Sequence, residues 1–170
     1  MSIHLFLSLT WVFDVLKRYF KHILQIFSSP PFYTAYVALP TDSMPSSPVI
    51  ASNPKFSPFF DDALGAIDGT HIACTPAAED RHAARNRKGF LSQNCLAICN
   101  FDLLFIYFLS GWEGSASDSA IYNYTCMADL QIPWNKYYLA DAGFASCNEL
   151  LTPYRRTRYH LVEWGCNAIR

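Results

Sequence analysis

GAIDGTHI (residues 65–72) sets Asp68 behind a short apolar run and in front of a glycine. Short apolar runs bounded by turn residues read as buried strands, so the Asp68 carboxylate is expected at or near a strand end. YYLADAGFA (137–145) repeats this arrangement around Asp141, and GWEGSASDS (111–119) carries Asp118 behind a Gly/Ser-rich turn. Carboxylate oxygens are hard ligands suited to Mg²⁺ or Mn²⁺. Two such ions held by three or four carboxylates activate water and stabilise a leaving oxygen in phosphodiester cleavage. The three aspartates are therefore the candidate metal and catalytic residues.

Working outward from GAIDGTHI, residues 65–74 form the first expected strand. Residues 79–88 are polar and basic and read as a loop or short helix. Two apolar runs, 90–100 and 103–112, are separated only by Phe101-Asp102 and read as an antiparallel hairpin. Ser117 is a candidate N-cap for a helix from Asp118 to about Leu130. Residues 136–142 form a further strand, 145–151 a helix, and 153–161 a loop leading to another strand. A strand, a hairpin, a helix and a strand make a mixed α/β sheet, an order that fits the front half of a ribonuclease H-like domain.

The 170 residues allow one domain, or one domain with an extension. A hydrophobic fraction of 51% and an aromatic fraction of 16% supply a core and exclude wholesale disorder. The net charge of −1 leaves any nucleic-acid contact to local patches or to other parts of a longer protein. The 6 cysteines form no CxxC pair and no zinc pattern, so they read as reduced, mostly buried thiols. The apolar stretch 3–16 carries Asp14, lacks a basic segment ahead of it and a clean cleavage site behind it, and is shorter than the about 20 residues of a spanning helix. It reads instead as a core-packing helix. Its apolar positions recur every 3–4 residues through Phe27, with Lys17, Arg18, Lys21 and His22 on the other side and in the later turns. Ser28-Ser29-Pro30-Pro31 stops that helix, and the five prolines between 40 and 58 mark a linker or an extended wrapping segment. The expected division is a helical remnant with a Pro/Ser-rich linker over 1–58 and an α/β domain over 59–170.

Four stretches in order carry a family resemblance: GAIDGTHI, NRKGFLSQNCLAICNFDLLFIYFLSGWEGSASDSAIYN, YYLADAGFA and TPYRRTRYHL. Over roughly residues 60–170 the chain resembles the nuclease domain of Harbinger-type DDE transposases and their domesticated relatives. SSPPFY and NPKFSPFFDDALGAIDG resemble the segment ahead of that domain. The resemblance implies a ribonuclease H-like fold, nuclear location and a divalent-metal carboxylate site that cuts and joins DNA. DNA is the expected partner; whether a separate DNA-binding partner protein supplies specificity, and the oligomeric state, are left open. Asp68 matches the first catalytic acid, Asp118 the acid of the G-S-x-x-D-S motif, and Asp141 the acid of the later G/A-D-x-G-style motif. The family's last acid, a Glu on a later helix, is expected beyond TPYRRTRYHL. The sequence reaches Arg170 without it, Glu163 does not match its motif, and Arg156 stands where the family usually has Gly. Under this reading the ribonuclease H-like domain is C-terminally truncated.

Each assignment has a plainer alternative. Asp68 also suits a turn carboxylate capping Gly69-Thr70, and Asp118 suits the first turn of any helix through the helix dipole. Arg85, Arg87 and Lys88, with Arg81, either grip phosphates or form a solvated face. Arg155 and Arg158, with Arg156 and His160, form a second candidate DNA-backbone patch. His71 lies at odd spacing from Asp68 and reads as a structural histidine on the opposite strand face. Asn86, Gln93 and Asn94 are expected to order the loop near the site. At the level of function, an active DNA nuclease stands beside three alternatives: a non-catalytic remnant serving as a DNA- or protein-binding module, a nuclease acting on RNA and, last, a membrane-anchored or secreted protein.

Overall fold

The computed structural model describes residues 3–154 and 157. The chain divides into two compact units, with the division between Ala38 and Leu39.

The first unit holds helix α1 (Ile3–Phe27) and the short helix α2 (Phe32–Tyr36). The Ser-Ser-Pro-Pro run separates them, because proline lacks the amide and clashes with the preceding turn. α1 does not pack as the core helix its periodicity predicts. Trp11, Phe13, Leu16, Phe20 and Leu24 are all exposed, and no residue from 11 to 27 is buried. Among the described residues, no helix is long and apolar enough to cross a membrane.

The second unit begins with the proline-rich stretch, which wraps rather than merely links. Leu39 packs against the core, and Ile50, in the single-turn helix α3 (Pro48–Ala51), is buried. Ser47 caps α3 by accepting the Val49 amide at 3.3 Å.

The sheet has five strands: β1 (Ala63–Ala73), β2 (Ser92–Cys99), β3 (Phe105–Glu113), β4 (Tyr137–Ala140) and β5 (Leu150–Leu151). Their order is β3-β2-β1-β4-β5. β1–β2 and β2–β3 are antiparallel, whereas β1–β4 and β4–β5 are parallel. This mixed sheet with a flanking helix is the ribonuclease H-like arrangement expected from the sequence. The hairpin closes where Phe101-Asp102 predicted. There Asn100 Oδ1 accepts the amides of Asp102 and Leu104, each at 3.0 Å, while Leu103 takes a positive φ of 62°.

Helix α4 (Asp118–Ala128) buries Ile121, Tyr122 and Thr125. The core joins Ile67, Leu96 and Ile98 of the sheet to these helix residues and to Phe144 and Leu150. Tyr122 meets Phe144 edge-to-face at 6.2 Å.

The helix predicted over 145–151 does not form. Its backbone groups are committed elsewhere. Ala145 N–H donates to Ser119 Oγ, Tyr138 N–H donates to Glu149 O, and Leu150-Leu151 pair with β4. Nor are the cysteines mostly buried. Cys95 is, Cys74 and Cys99 are half-buried, and Cys126 and Cys147 are exposed free thiols. Most of the loop and strand predicted after Pro153 lies outside the described residues.

Candidate metal centre

Two of the three aspartates are placed by the parallel register of β1 and β4. The last paired position is Ile67 with Ala140. Asp68, within β1, and Asp141, the residue after β4, come next along each chain and so lie side by side just past that pairing. β1 itself runs on to Ala73 against β2, so Asp68 ends the β4 pairing and not the strand.

The third aspartate arrives from α4. Ser117, not Asp118, caps the helix, its Oγ accepting the Ala120 amide at 3.3 Å. The Asp118 carboxylate is thereby released from the capping role that a first-turn acid could fill. It turns onto the backbone of Gly69, where a Cβ would lie 1.9 Å from Asp118 Oδ1. Only a residue without a side chain lets Asp118 come this close to the neighbour of Asp68.

Each carboxylate has one oxygen anchored. Asp68 Oδ1 accepts the Gly69 amide at 2.8 Å, as the turn-capping alternative anticipated. Asp141 Oδ1 accepts the Gly143 amide at 2.7 Å, and Asp118 Oδ1 accepts from Asn94 Nδ2 at 2.9 Å. The Oδ2 atoms accept no hydrogen bond among the described residues.

The Asp68 carboxyl is pushed above its ordinary value of 3.8, first by partial burial and further by the charges of Asp141 and Asp118. The Gly69 amide opposes this rise. Thus the charges of Asp118 and Asp141 both reach Asp68. Among the described residues the one salt bridge, Lys136–Asp62, involves none of them. A hard divalent cation fits this donor set, because it would offset repulsion that no described protein cation relieves. As placed, however, among the described residues no three His, Cys, Asp or Glu side chains are grouped so that they could hold a metal ion.

Ser119 connects the helix to the Asp141 segment. Its Oγ donates to Gly143 O at 2.9 Å and accepts the Ala145 amide at 3.1 Å. Sequence reasoning missed this residue. Its only local signal is a hydroxyl beside Asp118, and the partners lie 24 and 26 residues away.

The basic loop is anchored near the turn that leads into α4. Ser115 N–H donates to Ala83 O at 3.0 Å, and Ser92 N–H donates to Ala84 O at 2.9 Å. Arg85 is occupied with its own loop, donating to Gly89 O at 2.7 Å. Arg87 and Lys88 are exposed, with no ion pair among the described residues. Asn86 orders the loop as expected, accepting the Lys88 and Phe90 amides at 3.0 Å each and donating to Ser92 Oγ at 3.1 Å. His71 is exposed rather than buried, and its Nδ1 pairs with the same Ser92 Oγ at 3.1 Å. Arg155, Arg156, Arg158 and His160 lie outside the described residues.

A ribonuclease H-like sheet that gathers acidic side chains at the end of its central parallel pair defines a class, the DDE-type nucleases. Residues 67–164 match the family described as DDE superfamily endonuclease, and the chain belongs to it. It is similar to the protein named "Putative nuclease HARBI1" in Rattus norvegicus, at 32% identity over 110 residues, covering 57% of this chain and 31% of that one. The Mus musculus protein of the same name gives the same identity and coverage. The Homo sapiens one is 30% identical over 94 residues, covering 53% of this chain and 27% of its own length. The chain thus spans under a third of these relatives. No solved structure matches it.

Proposed function

We propose that this chain carries the acidic centre of a Harbinger-type, divalent-metal-dependent endonuclease that cleaves DNA phosphodiester bonds. The observation that carries the reading is the convergence of three acids from separate stretches: Asp68 and Asp141 follow the last paired residues of β1 and β4, the Asp118 carboxylate lies against Gly69, and none of the three has an ion pair among the described residues. Asp68 and Asp141 would hold Mg²⁺ or Mn²⁺, with Asp118 completing the shell. When bound, the metal supplies a water activated for attack and charge stabilisation of the leaving 3′ oxygen. The protein's own part is positioning. The Gly69 and Gly143 amides and the Asn94 amide fix one oxygen of each carboxylate before substrate arrives. Arg87 and Lys88, with Arg85 shaping their loop, grip the DNA backbone, and Arg155 and Arg158 extend that contact. A nuclear location and a separate DNA-binding partner belong to the same reading.

That no three such side chains among the described residues are grouped to hold a metal ion favours one second reading, a non-catalytic remnant that binds DNA or protein. Plasmid nicking with Mg²⁺ or Mn²⁺, with EDTA and with Asp68→Ala separates the two. Metal-dependent nicking that Asp68→Ala abolishes supports the enzyme. Nicking unchanged by Asp68→Ala, or none with either metal, ends that reading. Matched DNA, RNA and hybrid substrates identify the strand cleaved.

A further inference from the structure

We infer that Asn94 is a positioning residue for the metal centre, acting through Asp118; this rests on the reading of Asp118 as a metal ligand. Asn94 sits on β2 opposite His71 and is 1% exposed. Its Nδ2 donates to Ala116 O at 3.0 Å and to Asp118 Oδ1 at 2.9 Å, so both amide hydrogens are used. Its own Oδ1 is buried and accepts no hydrogen bond among the described residues. Turning the amide would satisfy nothing, because it would set that oxygen against two acceptors. The group is therefore held as a double donor although its buried acceptor goes unmet, an arrangement that costs stability. Packing alone does not require this, since an apolar side chain of similar shape would fill the space; what it would lose is the donor to Ala116 O and Asp118 Oδ1.

The chemistry of the donor explains the choice. A buried lysine or arginine at this position would also orient the carboxylate, but it would neutralise it and compete with a cation. A neutral amide fixes Asp118 Oδ1 and leaves the negative charge available. Gly69 leaves room for the same oxygen, which any Cβ there would strike. The Ala116 bond joins the chain entering α4 to the same amide, so β2 sets where the helix begins.

The test uses the full chain and Mn²⁺ as the probe, followed by calorimetry and by the electron-paramagnetic signal of the free ion. Asn94→Leu is expected to weaken Mn²⁺ binding about 10- to 100-fold, the usual effect of removing a residue that orients a ligand. In an Asp118→Ala background the same substitution is expected to add nothing. Unchanged affinity in Asn94→Leu, or an equal loss in the Asp118→Ala background, overturns the assignment. A second measurement needs neither metal nor a core substitution. The Asn94 side-chain amide resonances are expected to move upfield in Asp118→Ala, and resonances that stay in place overturn it. Absence of Mn²⁺ binding by the unaltered chain would refute the proposed function instead, and the amide resonances would still decide whether Asn94 holds Asp118.

Discussion

The acidic end of the sheet and the basic loop 81–88 are opposites in construction as well as in charge. The acids come from three remote stretches, and each has one carboxylate oxygen anchored, two by a nearby backbone amide and one by the Asn94 side chain. The basic residues come from one local run, and two of them, Arg87 and Lys88, have no ion pair among the described residues. Long-range topology fixes the first group and composition alone supplies the second. Side chains held in place should respond to substitution individually and strongly, whereas unanchored charges should respond additively and weakly.

The largest contrast is expected from Asp68→Ala or Asp141→Ala. If the acids hold a metal whose transition-state stabilisation is worth several kcal/mol, either change lowers metal-dependent nicking by about 10³-fold. Equal loss from Arg87→Ala would erase the distinction between the two regions. Gly69→Ala comes next. Its new methyl group must displace the Asp118 carboxylate, an overpacking cost of about 1–3 kcal/mol visible in chemical denaturation, with nicking reduced in parallel.

Asp68→Asn sharpens the electrostatic side of the comparison. Because the Asp68 carboxyl is raised above 3.8 in the folded protein, the fold binds that proton more tightly than the unfolded chain does. Its contribution to stability is therefore fully present below 3.8 and is lost as pH rises through the raised value. Thermal melts in EDTA should show Asp68→Asn gaining on the parent chain as pH climbs through that window. Saturating Mg²⁺ should raise the Tm of the parent only, since a ligand at about 100 times its Kd adds about 2.7 kcal/mol. The smallest effect belongs to the loop. Arg87→Ala and Lys88→Ala should each reduce the salt-dependence slope of DNA binding by about 1, measured by fluorescence anisotropy.

Strands β1 to β4, the hairpin and α4 were legible in the sequence because burial imposes a period on them; Asp68 and Asp141 stood out as candidates because each ends a short apolar run, and Asp118 because it follows a Gly/Ser-rich turn. What escaped was whatever depends on partners far along the chain. The stretch 145–151 has helical composition, but its amides serve α4 and β4. α1 has a clear apolar periodicity, yet its described side chains lie exposed. Gly69 looks like an ordinary turn glycine until Asp118 is placed against it. Ser119 carries no signal at all, since a hydroxyl one residue inside a helix is unremarkable until its acceptor and donor are known.

The two hydrogen bonds of Ser119 have a mechanical consequence. One hydroxyl clasps both sides of the segment after Asp141, at Gly143 and Ala145, to the opening turn of α4. If the helix rocks or slides, that segment travels with it. The gap between two of the three acids is thus insulated from the most ordinary motion such a helix makes, and a grip on a cation there would survive thermal breathing of the scaffold.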